Sequence, residues 1–145
     1  MKKYSIFVLL LAVTLLFSRH AEAVTHRFET FAVHGFSLRI PADWPVTVRL
    51  NEIIITSPDE NESITFMFAH REGRDANSFA QAVVASLEGT EPVQSEDGTF
   101  DYEFTYMDND ENINIRTIHV LNLGIVMKSK SNFDNIRNII STIVI

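Results

Sequence analysis

The sequence contains one cluster of oxygen-bearing side chains that suits a metal ion, the stretch DNDEN at positions 108–112. Asp108, Asp110 and Asn112 have the spacing of the first three ligands of a calcium-binding loop. Such a loop also needs a glycine at its sixth position and a glutamate at its twelfth, where this chain has isoleucine and histidine. Because an alternating strand pattern begins at Ile113, we predict a polar hairpin tip here and keep a weak calcium site as the alternative.

Asp101 and Glu103 are the carboxylates best placed for acid–base chemistry. On a strand they share one face and lie about 7 Å apart, a separation that glycosidases use. Their neighbours Tyr102 and Phe104 are aromatic, and acids that alternate with apolar residues are typical of a strand with one solvated face. We therefore predict no catalytic residue, and keep hydrolysis of envelope sugars by Asp101 and Glu103 as an alternative.

The histidines and nucleophiles indicate no further site. His26, His34, His70 and His119 are scattered and lack the short spacings of zinc ligands. We expect His70 and His119 to lie on inward strand faces as hydrogen-bonded residues. The sequence has no cysteine, no G-x-S-x-G turn and no glycine-rich phosphate loop. We expect no cofactor and no enzyme activity.

The first 23 residues have the organisation of a secretory leader. Lys2 and Lys3 precede the apolar run Tyr4–Phe17, and the small-residue pattern Ala21-Glu22-Ala23 follows it. Because such a run falls short of the roughly 20 residues that span a bilayer, we predict a cleavable signal peptide rather than an uncleaved anchor. A single domain then occupies 24–145. Without a cysteine to carry a lipid, we expect a periplasmic or secreted protein with no stable membrane anchor.

The charge of the chain limits its partners. The net charge is −7 at pH 7, and removal of the leader with three of its cations makes the remaining chain more acidic. Acidic proteins are repelled by nucleic acid and by anionic lipid headgroups, so we expect neither as a partner. A cationic partner is compatible with this charge, although acidity also serves solubility.

Two segments have helical periodicity, Ser78–Leu87 and Asn132–Ile143. Asp75 or Asn77 can cap the first helix, and Gly89 is predicted to be the left-handed residue that ends it. Each helix has one apolar stripe and must lie on another element. We expect both helices to cover the same face of a sheet.

The remaining segments alternate as strands. The clearest run places Phe100, Tyr102, Phe104 and Tyr106 on one face. Strands joined by short connections pair antiparallel. The predicted fold class is therefore α+β, with an antiparallel sheet of about six or seven strands and two packed helices. The face that carries Asp101, Glu103, Asn114 and Arg116 is expected to be partly solvated.

The stretch FSLRIPADWPV at 36–46 is a predicted strand that runs into a P-x-x-W element. Together with the order of the later elements, over about residues 30–145, it resembles the PsbP-like/DcrB-like family of small secreted α/β domains. The resemblance implies an α/β/α sandwich around an antiparallel sheet. It also implies accessory or binding roles rather than catalysis, and no functional residue is transferred from it.

These observations together predict a non-catalytic accessory or binding protein of the bacterial envelope that recognises another protein. Three alternatives remain open. They are an acidic inhibitor or immunity-type protein against a basic toxin or lysozyme, a weak calcium-binding module, and a hydrolase of envelope sugars.

Overall fold

A computed structural model of the chain describes residues 24–32, 34–68, 75–96, 98 and 100–145. The predicted signal peptide and His70 lie outside these residues. None of the helices in the described ranges is long and apolar enough to cross a membrane. In chain order the elements are β1 His26–Phe31, β2 Phe36–Pro41, β3 Val46–Val48, β4 Glu52–Thr56, β5 Glu62–Phe68, α1 Ala76–Leu87, β6 Val93–Gln94, β7 Asp101–Asp108, β8 Glu111–Val120, β9 Leu123–Ser129 and α2 Asp134–Ile140.

Seven strands form one antiparallel sheet in the order β3-β4-β5-β9-β8-β7-β6, and β1 and β2 form a separate hairpin. Strands β7, β8 and β9 are a meander joined by short turns. Strand β9 then pairs with β5, so the meander continues the sheet that β3 to β5 begin. The described residues confirm the predicted α+β class with an antiparallel sheet and two helices.

The first face of the sheet carries the larger core, which the β1–β2 hairpin and α2 cover. Residues on alternate positions of β4, β5 and β9 point into it and are almost fully buried, as periodicity of two requires. The residues that pack together here are Phe31, Phe36, Leu38, Ile40, Trp44, Ile53, Ile55, Ile64, Phe66, Ile125, Met127, Ile136 and Ile139.

The second face carries a smaller core under α1. Phe104, Ile113 and Ile115 are buried there, and Phe79 of α1 is 1% exposed. The two helices therefore lie on opposite faces, and the expectation that they share one face was wrong. Because β8 and β9 carry apolar residues on both faces, each face needs its own covering layer.

The aromatic alternation of β7 is confirmed within the strand. Phe104 is buried, and Tyr102 and Tyr106 are half-buried. Phe100 instead precedes the strand and is 55% exposed. The prediction was wrong for this residue because the extended conformation starts only at Asp101.

The first end of α1 agrees with the sequence prediction, and the second end does not. The Asp75 carboxylate accepts a hydrogen bond from the backbone N–H of Ser78 at 2.7 Å, so Asp75 is the N-cap. The left-handed residue at the other end is Glu88, with φ 55°, and not Gly89. Glycine is needed at 89 for a different reason, because a Cβ there would lie 2.7 Å from Cδ2 of Phe104.

Helix α2 ends earlier than its periodicity predicts, at Ile140. The chain beyond it turns onto the edge of the β1–β2 hairpin. Thr142 Oγ1 accepts a hydrogen bond from the backbone N–H of Arg39 at 2.8 Å, and Val144 and Ser37 exchange backbone hydrogen bonds. This pairing competes with further helical turns and ends α2.

Substitutions at the end of α1 test this local geometry. Gly89→Ala is expected to lower the free energy of unfolding by about 1–3 kcal/mol, because the added methyl must displace a buried ring. Glu88→Gly is expected to raise it by up to about 1 kcal/mol, because glycine adopts a positive φ without strain. Urea unfolding followed by circular dichroism measures both. Gly98→Ala is the control, since a Cβ there makes ordinary contacts, and an equal loss in that variant would contradict the assignment.

The N-cap predicts a pH dependence. The hydrogen bond from Ser78 holds the pKa of Asp75 below its ordinary value of 3.8. A depressed folded pKa contributes stability that is present above the unfolded pKa and is lost as the pH falls through the folded value. The melting temperature of Asp75→Ala should therefore be lower than that of the parent protein at pH 7. The difference between the two melting temperatures should become smaller below about pH 4. Thermal melts across pH check this, with Asn77→Ala, the unused cap candidate, as a control that shows no such narrowing.

Candidate functional site

The acidic stretch at 108–112 forms the tip of the β7–β8 hairpin, as predicted. Asp108 pairs with Glu111 in the last rung of the ladder, and Asn109 and Asp110 make the two-residue turn with φ 48° and 64°. A positive φ at both turn positions is typical of the hairpin turn that prefers Asn, Asp and Gly.

The hairpin separates the candidate ligands of the alternative calcium site. Asp108 and Asn112 belong to adjacent rungs of the ladder, and adjacent rungs point to opposite faces of a strand pair. Glu111 instead forms an ion pair with Lys130 at 2.6 Å, and this hydrogen bond raises the pKa of Lys130. Within the described ranges, no three acidic or histidine side chains are grouped closely enough to hold a metal ion.

The carboxylates of Asp101 and Glu103 are joined by an arginine. Arg116 lies opposite Glu103 in the register and is 3% exposed. Its Nη2 lies 2.7 Å from Asp101 Oδ2, and its Nη1 lies 3.1 Å from Glu103 Oε1. The Ser95 hydroxyl accepts a further hydrogen bond from Nη2 at 3.1 Å. A guanidinium thus occupies the space that a glycosidase leaves for sugar and water.

The described histidines are separate, and each lies in a different environment. His119 is buried on β8 beside the ring of Phe79, with centroids 5.1 Å apart, so its inward position is confirmed. The ring of His34 stacks on Phe68 at 3.7 Å. His26 is exposed and lies within hydrogen-bond distance of the Val24 carbonyl through Nδ1. The sequence expectation of scattered histidines agrees with these positions.

Large apolar side chains are exposed on separate turns at one end of the sheet. The register places the β3–β4 and β8–β9 turns together, since Glu52, Met67 and Gly124 are neighbours across β4, β5 and β9. Phe100 lies at the same end, because its carbonyl accepts the amide of His119. We call this surface the apolar end, which consists of Val48, Leu50, Phe100, Val120 and Leu121, exposed by 61, 88, 55, 44 and 89%.

The position of Leu121 is unfavourable for a leucine in two respects, its backbone conformation and its exposure. It is the first residue of the two-residue turn between β8 and β9 and has φ 53°. A left-handed conformation costs an ordinary residue about 1 kcal/mol or more, and the same leucine is also almost fully exposed. Residues with strained backbones cluster at the active sites, ligand clamps and switch regions of proteins.

The opposite end of the sheet is acidic. The β4–β5 turn and the β7–β8 hairpin tip both lie there, because Glu62 and Asn114 each pair with Ser129. Hydrogen bonds from Ser57 and Asn61 lower the pKa of Asp59. We call this surface the acidic end, which consists of the exposed residues Asp59, Glu60, Asp108, Asp110 and Glu111.

Sequence reasoning missed the apolar end. The alternating pattern that begins at Ile113 extends in the sequence through Leu121, which predicts a strand up to that residue and a turn at Gly124. The turn instead uses Leu121 and Asn122, and Gly124 lies inside β9. The available signal was the recurrence of a leucine followed by asparagine, at Leu50 and Leu121, at points where the alternating patterns stop.

The described residues define an α+β protein whose two ends carry different surfaces. The sequence matches no protein-family model and no curated protein. Among solved structures, the chain is similar to the solution structure of cyanobacterial PsbP (CyanoP) from Synechocystis sp. PCC 6803, with a TM-score of 0.50 and 9% sequence identity. The similarity covers 87% of this chain and 95% of that one. It shows that the chain has a PsbP-like fold.

The ion-pair network predicts a large loss of stability when its cation is removed. Arg116→Met leaves the largely buried carboxylate of Asp101 without its partner, which should lower the free energy of unfolding by about 3 kcal/mol. Asp101→Asn added to Arg116→Met should restore part of this loss, because an amide is less costly to bury. Chemical denaturation measures both variants. A loss below about 0.5 kcal/mol in Arg116→Met would show that the network is not structural.

Proposed function

We propose that the chain is a non-catalytic accessory or binding protein of the bacterial envelope, periplasmic or secreted, which recognises another protein through the apolar end. The observation that carries this proposal is the exposure of Leu50 and Leu121 on two turns at the same end of the sheet, one of them with a strained backbone. Exposed apolar clusters of this kind mark interaction surfaces. Burial of these side chains in a complex would offset the cost of their exposure.

The form of the apolar end favours a protein partner over a bilayer. Three strand spacings separate the two turns, which is about 14 Å. The polar residues Asn51 and Asn122 follow the two leucines directly, so each leucine suits its own pocket, as anchor residues of protein interfaces do. Cations that favour a lipid surface are few here: in the described residues of this end, Arg49 is present and is ion-paired with Glu52.

The acidic end favours a second candidate function. A soluble inhibitor of a basic toxin or lysozyme would bind through Asp59, Glu60 and the hairpin tip at 108–111. Electrostatic binding between exposed charges weakens steeply as salt rises, whereas apolar docking does not. The salt dependence of capture therefore separates the two functions.

Affinity capture with the tagged chain tests the proposal. We expect an envelope protein that stays bound in high salt and whose capture falls at least about tenfold, or 1.4 kcal/mol, in both Leu50→Ser and Leu121→Gly. Leu121→Gly should at the same time be as stable as the parent or more so, because glycine relieves the strain at φ 53°. Loss of binding without loss of stability cannot arise from misfolding.

Val93→Ser is the matched control, since Val93 is also exposed but lies on the edge strand β6, opposite Glu103, and is not one of the residues of the apolar end. Capture that is equally reduced in Val93→Ser would contradict the proposal, as would capture that is unchanged in both leucine variants. Leucine-dependent binding to phospholipid vesicles would contradict a protein partner and identify a membrane as the partner instead. Capture that is lost in high salt would support the inhibitor instead.

A further inference from the structure

A cleft of about 380 Å³ lies between the β1–β2 hairpin and α2, on a surface that the proposed function does not use. Pro41, Trp44 and Ile139 supply its apolar part. Pro41 and Trp44 are the two defining residues of the P-x-x-W stretch noted in the sequence. The P-x-x-W element therefore contributes residues to the cleft as well as to the core.

The hairpin side of the cleft is rigidly held. Arg27 donates hydrogen bonds through Nη1 to the Ala42 carbonyl at 2.6 Å and through Nη2 to the Trp44 carbonyl at 2.7 Å. The Ala42 N–H in turn donates to the Thr25 carbonyl at 2.7 Å. A site whose backbone is already fixed loses little conformational entropy when a ligand binds.

The cleft also holds two opposite charges, those of Arg39 and Asp43, together with the amide of Asn138. Arg39 and Asp43 are both exposed, and within the described ranges neither forms an ion pair. A second amide, that of Asn135, is engaged by Glu62 at 3.0 Å. A cation and an anion that do not neutralise each other, beside an apolar floor, match a ligand that carries both charges and an apolar body.

We propose that this cleft binds a short peptide with free termini. Arg39 receives the terminal carboxylate, because a guanidinium binds carboxylates in a planar, paired geometry. Asp43 receives the terminal ammonium group. Trp44 and Ile139 contact the apolar side chains between the termini, and the Asn138 amide has the donor and acceptor that a peptide bond requires.

Trp44 is the single tryptophan of the chain, so tryptophan fluorescence reports on the cleft. Titration with trialanine should change the emission of Trp44 saturably, with a dissociation constant that is roughly millimolar or lower. Trialanine amide, which lacks the carboxylate, should bind at least about tenfold more weakly. Arg39→Gln should show the same loss for trialanine and no added loss for the amide, since the two changes remove one interaction.

The ammonium group is tested in the same way, with Asp43→Asn and with N-acetyl-trialanine, which lacks the free ammonium group. Each change should weaken binding, and the two together should cause no added loss. Arg49→Gln is the control, because Arg49 is an exposed arginine at the opposite end of the sheet, and it should leave the affinity unchanged. NMR chemical-shift mapping on the parent protein provides a readout that needs no variant. It should show shifts at residues of the hairpin and of α2 that line the cleft.

Two results would overturn the proposal. One is the absence of any change in fluorescence or amide shifts at trialanine concentrations on the order of ten millimolar. The other is equal binding of trialanine, its amide and its acetylated form, which would exclude recognition of the termini. Stronger binding of an acidic sugar such as glucuronate than of trialanine would reassign the ligand class.

Discussion

The two-sided apolar character of the central strands determines how the molecule is layered. Strand β9 presents Ile125 and Met127 to one face and Val126 to the other. Strand β8 does the same with Ile115 and Ile118. A sheet of this kind loses its hydrophobic stabilisation if either face is left open, so the β1–β2 hairpin with α2 and the helix α1 must pack on opposite sides. The cleft between the hairpin and α2 lies within the layer that covers the first face.

The covering layers leave part of the first face open, and Arg116 stabilises that part. The strands β7 and β8 extend beyond the hairpin and α2, so their residues on this face meet solvent or one another. A buried guanidinium that is ion-paired with both Asp101 and Glu103 links the two strands. It also explains why two acids with a glycosidase spacing do not form an open site.

Local sequence patterns predicted the elements well and the contacts between elements poorly. The N-cap Asp75, the antiparallel sheet and the hairpin tip at 108–112 follow from rules that act within a few residues. The role of Gly89 depends on the ring of Phe104, which no local rule places there. The pairing of Arg116 with Asp101 likewise requires the register of β7 against β8.

The two surfaces proposed for binding were also beyond local reasoning. Arg39 and Asn138 both line the cleft although they are distant in sequence. They lie on the same cleft because α2 ends early and the residues that follow it pair with β2. The turn at Leu121 was missed because a positive φ is unusual for leucine. Exceptions to local rules are concentrated at functional or strained sites of proteins.

The lengths of the outermost strands bear on how the protein behaves when it is concentrated. Strands β3 and β6, at the two margins of the sheet, contain three and two residues. Such short margins offer few backbone groups to an incoming strand from another molecule, which is the step that starts fibrillar aggregation. The molecule can therefore expose the leucines of the apolar end while the edges of its main sheet offer little backbone to a strand from another molecule.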